Sequence, residues 1–528
     1  MITPVAAVSL VALSCAVLLL LRPIVIFWLD PLDLRKYRAP SFLAATTPLW
    51  LMWETWMQRR SATIHAELAK CEDDVLRVAP NMLMFNDPQA VKDIYGHLAA
   101  RKIVKDVFYD KIAGDVHDIV NTRDHDDHGR KRKYLANSFA LKTVVDMEPV
   151  IRKNFKNLLV RIDAFCAASE ADPKAQQSFN IRQWLNYFTL DVISDMAFGY
   201  CTGFLTQGGD SRQAQTQGGI SYEVGSLINA LQQGVRHSLT VAQVVSPRTV
   251  PWLKALSRCT PLGYRVTHAK DADDFENLCI YQLRKRLEQG PPERDTQDFI
   301  ANILKDKAGS DRPVPFRELV AESQVLMNAG SDTTAAGLTS TIYHLLSNPE
   351  TMSRLRAEVD SRVSPDDPQE ILPYDLVRDL PYLRACIDET LRLRPPIAYP
   401  LQRLVVAPEG AIIAGRHIKQ GTVVAVPPFS IHRKETVFPE PDRFNPDRWL
   451  NKDDPVQLEA LRNYYIPFSQ GPRACLGRHI AIIELQILIS SLVRRYDIQL
   501  EREGQELLIF ERFNSNPGPL PIRIRRRA

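Results

Sequence analysis

From Phe316 to Leu346 the chain runs without a proline, and the spacing of its apolar residues reads as one continuous helix. Pro313 and Pro315 precede it, and Asn348 with Pro349 stops it. By pitch this is about nine turns, so a chain built on it is committed to a largely helical body. Its middle is ill suited to a buried helix: Gly330 is followed by Ser331, Asp332, Thr333 and Thr334. Glycine costs roughly 1 kcal/mol relative to alanine in a helix interior. Serine and threonine hydroxyls bond back to carbonyls and open the ladder locally. A widening there leaves a carbonyl free to hold water.

A second segment, Phe468 to Gly477, sets Cys475 on a short loop that runs into a helix expected to begin near Leu476. Gly471 lets the chain turn where a side chain would strike a bound ring, and Gly477 lets the helix lie close to it. The first amides of that helix point back toward the sulfur and favour its anion. Phe468 can cover the sulfur and keep water away. Such a loop suits a thiolate that serves as the axial ligand of an iron porphyrin.

Phe468, Gly471, Arg473, Cys475 and Gly477 resemble the haem-binding loop of the cytochrome P450 superfamily. The resemblance covers nearly the whole chain. It implies the superfamily's fold, haem b (iron protoporphyrin IX) and Cys475 as the iron ligand. The glycine-rich stretch of the long helix then resembles the family's acid–threonine motif. Thr333 is implied as the hydroxyl beside bound oxygen and Asp332 as the acid that feeds protons inward, since splitting oxygen needs protons without flooding the site.

Glu389 and Arg392 lie three apart in a helical run, Leu380–Leu393, and so share a face. Alone they read as a surface pair worth about 0–1 kcal/mol. They resemble the family's Glu-x-x-Arg motif, whose pair is buried behind the haem and joined by a further arginine. Arg448, followed by Trp449, is the expected partner, with Arg443 as its rival. The three side chains are implied to hold the cysteine loop.

Two porphyrin propionates need cations or donors, and guanidinium is their natural partner. The resemblance implies His128, Arg132, Arg403 and Arg473. His125 and His128 invite a metal reading, but no third histidine or cysteine lies near them, and the two aspartates between make a poor zinc site.

Residues 2–21 carry no charged side chain, about the length of a membrane-crossing helix. No basic stretch precedes them, and Arg22, Arg35, Lys36 and Arg38 follow, which places the body on the cytoplasmic side. We therefore expect an anchor over residues 1–29 and a haem-thiolate monooxygenase domain over 30–528. The eight cysteines are scattered, as in a reducing compartment. For the resembled family this implies the cytoplasmic face of the endoplasmic reticulum. A net charge of +4 with no basic stripe and interleaved aromatics argues against nucleic acid. The arginines from Arg523 onward read as a solvated tail.

Strand-like stretches are few. Val75–Val78 with Met82–Phe85 is one hairpin; Arg403–Val406, Ala411–Ala414 and Thr422–Val426 form a second set; Ile498–Leu500 and Leu507–Phe510 come near the end. Residues 207–219 read as a surface connection. The fold class is thus mainly α with a small β-rich lobe, preceded by one transmembrane helix. Arg130, Lys131, Lys133 and Arg478 are expected to ring the cysteine side as a basic face for an acidic redox partner. The resemblance implies an NADPH-dependent flavoprotein reductase in that role, with cytochrome b5 as a further donor.

By analogy with the family, the substrate faces parts of 102–119, 221–243, 326–334, 397–402 and 513–517. Ile103, Val104, Val107, Phe108, Ile397, Ala398 and Leu401 make that cavity apolar, and Lys102, Lys105 and Tyr399 are polar anchors in reach of it. Residues 30–40 and 121–133 resemble fungal enzymes of the benzoate para-hydroxylase type and relatives in secondary-metabolite pathways, whereas 201–258 departs from the benzoate enzymes. Tailoring of a fungal natural product by monooxygenation ranks first and hydroxylation of a small aromatic acid second. An oxygen-independent haem isomerase or dehydratase is the reading from another class, and Asp332 with Thr333 argues against it.

Overall fold

The computed structural model describes residues 21–114, 116–171, 178–246, 249, 252, 255, 269–293, 296–305, 309–363, 369–451 and 453–527. Most of the expected anchor, residues 1–20, lies outside them. No helix among the described residues is long and apolar enough to cross a membrane.

Six helices position the site: α1 His125–Leu135, α2 Ile181–Phe198, α3 Leu227–Val244, α4 Phe316–Ser347, α5 Pro381–Leu393 and α6 Arg478–Arg495. The spine is α4. Gly330 sits where it meets α2: a Cβ there would stand 2.6 Å from Ile193 Cγ1, so glycine permits the two helices to close. Further along, Gly337 faces Leu391 of α5 and Leu485 of α6. The main core gathers around these crossings, with Ile193, Leu338, Leu391 and Leu485 all buried.

The expected local widening of α4 is absent; the helix is regular from end to end. The back-bonds themselves are present. Ser331 Oγ donates to the Met327 carbonyl and Thr333 Oγ1 to the Ala329 carbonyl, each at 2.7 Å. A carbonyl oxygen has two lone pairs, so the hydroxyl takes the second without displacing the helical amide.

The β-rich lobe is a five-stranded sheet of β1 Val75–Ala79, β2 Met82–Phe85, β3 Ile103–Lys105, β4 Arg403–Val405 and β5 Val423–Ala425, in the order β1-β2-β5-β4-β3. Its contact between β2 and β5 is parallel; the others are antiparallel. Ala411–Ile413 does not join this sheet but pairs with Arg416–Ile418 in a hairpin of its own. Residues 207–219 are more than a connection, since Arg212–Gln215 pairs with Ser221–Val224.

At the end of the chain, β6 Tyr496–Leu500 pairs with β9 Pro521–Arg526, and β7 Ile509–Glu511 pairs with β8 Ser515–Pro517. Arg523, Arg525 and Arg526 are therefore strand residues rather than a solvated tail, and Arg527 directly follows the strand. Ile522 and Ile524 face the core, while Arg526 reaches Asp163 at 2.6 Å and Arg527 reaches Asp360 at 2.9 Å. The period-two alternation of isoleucine and arginine fits a half-buried strand.

Candidate active site

The cysteine loop is built around one close approach. Gly471 has φ +71°, and a Cβ on it would lie 2.0 Å from the Tyr95 carbonyl oxygen. Neighbouring backbone already requires glycine there, a reason the sequence did not show. The Cys475 amide donates to the Phe468 carbonyl at 3.0 Å, which closes the loop. Helix α6 then starts at Arg478, with Gly477 as its N-cap, two residues later than expected near Leu476.

Cys475 is open to a cavity of ≈ 1490 Å³ but lies deep inside the protein. Burial pushes its thiol up. The Gly477 and Arg478 amides and the Arg132 guanidinium oppose that and favour the thiolate. Phe468 and Gly477 line the same cavity, and a Cβ on Gly477 would meet nothing within 4 Å. Arg478 lies over the Phe468 ring, 5.8 Å from its centroid.

One edge of the cavity is strongly cationic. His128 and Arg132 come from α1, Lys105 and Arg403 from β3 and β4, and Arg473 from the loop. Their hydrogen bonds go to neutral oxygens: Arg132 to Ala474 (3.0 Å), Arg403 to Gln402 (3.0 Å) and Tyr109 (3.5 Å), Arg473 to Thr122 (2.5 Å), and Lys105 to Val120. Among the described residues, no carboxylate comes within ion-pair distance of these four cations.

Burial first, then neighbouring cations, lowers the proton affinity of Lys105, Arg473 and His128. Lys105 is held well below its usual value by burial, Arg403 and Arg473. Arg473 falls to about 10 and His128 to about 3, so His128 is neutral at pH 7. Lys105 belongs to this edge, although the sequence placed it beside the substrate; only the pairing of β3 with β4 reveals that. His125 stays exposed beside Asp126, so the two histidines do not converge.

Across the cavity, α4 presents Thr333 and Asp332. Asp332 is buried and fully engaged. Its Oδ1 accepts from Arg182 Nη2 and Gln232 Nε2, each at 3.2 Å, and its Oδ2 accepts from Asn514 (3.4 Å) and Asn516. Arg182 lies on α2, Gln232 on α3 and both asparagines on the β7–β8 hairpin. None of these partners was legible in the sequence.

Behind the loop, Glu389 and Arg392 of α5 are wholly closed to solvent and share bonds of 2.8 and 2.9 Å. Arg448 Nε reaches Glu389 at 3.0 Å, as do Trp449 Nε1 and the Asn445 amide. Arg443 is exposed and pairs with Glu440 instead. Arg392 Nη1 donates to the His432 carbonyl at 2.8 Å, and His432 Nε2 accepts from the Ile466 amide at 2.9 Å. The triad thus leads through His432 to the start of the cysteine loop. Sequence reasoning missed His432.

These residues fit a haem. A sulfur, an edge of unpaired cations suited to two carboxylates, and open space beside Gly477 share one cavity. Its volume exceeds the ~300–1,000 Å³ of an ordinary ligand pocket, leaving room for a substrate beside a cofactor. A family profile described as Cytochrome P450 matches residues 44–523.

The chain belongs to the cytochrome P450 family.

It is 28% identical to benzoate 4-monooxygenase bphA of Aspergillus niger over 95% of this chain and 94% of that one. It is 28% identical to cytochrome P450 monooxygenase cicH of Emericella nidulans over 89% of each, and to cytochrome P450 monooxygenase ABA2 of Pyricularia oryzae over 88% of this chain and 84% of that one. The family to which these monooxygenases belong binds haem through a cysteine thiolate.

In this P450 the substrate side of the cavity is lined by Leu231 and Val235 of α3, Ile193, Leu326, Ile397 and Phe513. Of the apolar residues expected there, Ile397 and Leu401 line the cavity. Ile103 is buried in the core of the β-lobe. Phe108 stacks on Tyr399, which in turn stacks on Phe513; Tyr399 thereby supports the cavity wall rather than anchoring a ligand. Lys102 is exposed and pairs with Glu409.

The basic face is also smaller than expected. Lys131 is buried, with Nζ 3.0 Å from Glu318 and 2.8 Å from Glu322. Arg130 is held by Asp127 and Glu318, each at 2.7 Å. Lys133 and Arg478 remain exposed.

Proposed function

We propose that this P450 inserts one oxygen atom of O2 into a largely apolar organic substrate and tailors a fungal secondary metabolite. The observation that carries this reading is the shared cavity, in which Cys475 and a cationic edge accompany Thr333 and Asp332. Bound through Cys475, haem supplies the oxygen activation. His128, Arg132, Arg403 and Arg473, with Lys105, hold its propionates, and neutral His128 does so as a hydrogen-bond donor. Phe468 shields the sulfur from water. Glu389, Arg392 and Arg448 hold the loop and touch no reacting atom.

Thr333 Oγ1 holds a proton at the cavity wall, and Asp332 beside it supplies the next. Four donors hold the Asp332 carboxylate in place, so it works as a relay only when one of them gives way. Apolar residues elsewhere exclude water and position the substrate.

Electrons come from NADPH through a flavoprotein reductase, with cytochrome b5 as a second donor, and Lys133 and Arg478 offer them an exposed basic patch. Residues 1–29 anchor the chain in the endoplasmic reticulum membrane with the catalytic body on the cytoplasmic side. The exposed Trp28, Leu29, Phe42, Leu43, Trp53 and Trp56 support a membrane-facing surface near that end.

A second reading, para-hydroxylation of a small aromatic acid, is favoured by the match to the benzoate 4-monooxygenase along almost the whole chain. Deleting the gene in its host and comparing extracts by mass spectrometry tests both. A precursor sixteen mass units lighter than the lost product supports monooxygenation, and a lost product with no such precursor contradicts it. Accumulating benzoate selects the second reading.

A further inference from the structure

We infer that the end of the cavity beside Asp332 is a carboxylate-binding site, with Arg512 as the anchor and Gln232 next to it, so that the substrate is an apolar molecule with an acid at one end. This rests on the monooxygenase reading and names the substrate class for it.

Arg512 sits in the turn between β7 and β8, lines the cavity and is only 7% exposed. Among the described residues, its side chain makes one hydrogen bond, from Nη1 to Gln232 Oε1 at 3.1 Å. Among the described residues, no carboxylate comes within ion-pair distance of it.

Two of the neighbouring arginines already have carboxylate partners, while Arg236 donates to the Trp56 carbonyl at 2.9 Å. Arg60 pairs with Glu511 at 2.7 Å, and Arg182 pairs with Asp332 at 3.2 Å. Asp332 has two further donors on Oδ2 and one more on Oδ1, so it has no lone pair to spare for Arg512. The Gln232 amide is fixed in direction, Oε1 toward Arg512 and Nε2 toward Asp332.

Arg512 is thus a buried guanidinium left over. Such a charge is costly unless it is paired. Burial lowers its proton affinity, and Arg236 and Arg182 add to that against the opposing pull of Asp332. A carboxylate offers the fork geometry a guanidinium prefers. A neutral carbonyl or hydroxyl accepts a hydrogen bond but leaves the charge uncompensated. Phe513, Leu231 and Val235 on the same side of the cavity supply the apolar surface for the rest of the molecule.

The test uses the haem-loaded enzyme and follows the ferric spin-state change during titration with matched probes. Dodecanoate is compared with dodecan-1-ol, and biphenyl-4-carboxylate with biphenyl-4-carboxamide. The acids are expected to bind at least about tenfold tighter than their neutral partners, the low end for a charge-assisted bond. Arg512→Gln is expected to abolish that preference and Arg512→Lys to restore part of it. Acids that bind no better than their neutral partners in the unaltered enzyme overturn the inference, as does a preference that survives Arg512→Gln. The comparison in the unaltered enzyme is decisive even where a variant fails to fold. An intact thiolate–carbon monoxide band with no acid preference defeats this inference alone, whereas a missing band defeats the monooxygenase reading beneath it.

Discussion

Arg392 and Glu389, one turn apart on α5, are both closed to solvent and joined by two hydrogen bonds of 2.8 and 2.9 Å. Arg448, Trp449 and the Asn445 amide complete the shell around the carboxylate. Removing one partner of a buried pair strands the other, at a cost of about 3–5 kcal/mol. Glu389→Ala is therefore expected to unfold at markedly lower denaturant and to recover little haem, read as haem per polypeptide. Arg443→Ala removes an exposed side chain and is expected to shift stability by no more than about 0.5 kcal/mol.

His432 links that triad to the loop. Its Nε2 accepts from the Ile466 amide, so Nδ1 carries the hydrogen and donates to the Arg392 carbonyl at 3.1 Å. Burial, then Arg392, pushes its pKa down from 6.5 to about 3. The unfolded chain binds this proton more readily, so the contribution is complete above about pH 6.5 and lost as pH falls toward about 3. Across that window it amounts to about 1.4 kcal/mol per pH unit. Denaturation midpoints measured between pH 7 and pH 4 should fall more steeply for the unaltered chain than for His432→Gln, which keeps an acceptor but does not titrate. Parallel slopes would exclude His432.

The two loop glycines should fail differently. At Gly471 an added Cβ meets the Tyr95 carbonyl and the φ is +71°, so Gly471→Ala should destabilise the apoprotein by more than about 1 kcal/mol. At Gly477 the φ is −75° and the added atom enters open cavity. Gly477→Leu should leave apoprotein stability near that of the unaltered chain and lower haem occupancy on reconstitution. Equal apoprotein losses in the two variants would contradict this division.

Thr333 donates only to its own helix, at Ala329, so Thr333→Ala removes a hydroxyl from the cavity without stranding a partner. The product-forming rate should fall on the order of 10²-fold, with reductant diverted to hydrogen peroxide. Full coupling in the variant would take Thr333 out of the proton path. Asp332→Asn is a poorer probe, because it leaves Arg182 buried beside a neutral group.

Local patterns carried much of the site into view. Cys475, Glu389–Arg392 and Thr333 each sit in a motif a few residues long, and a helix turn or a tight loop sets their geometry. Arg448 could be ordered against Arg443 by its neighbours. What stayed hidden depends on distant segments. The Asp332 cage joins residues 182, 232, 514 and 516, and Lys131 is buried because Glu318 and Glu322 of α4 project one turn apart toward α1. Spacing along the chain holds no trace of such meetings. The regularity of α4 was misjudged for a local reason: back-bonding hydroxyls share carbonyls rather than break the ladder.

The central claim is that Cys475 holds the haem iron as a thiolate. The most direct measurement is the carbon monoxide difference spectrum of the reduced, haem-loaded protein beside that of Cys475→Ser. The unaltered chain should give the thiolate band of the family and the variant should lose it. An unchanged band in Cys475→Ser, or a nitrogen-ligated spectrum in the unaltered chain, would contradict the account.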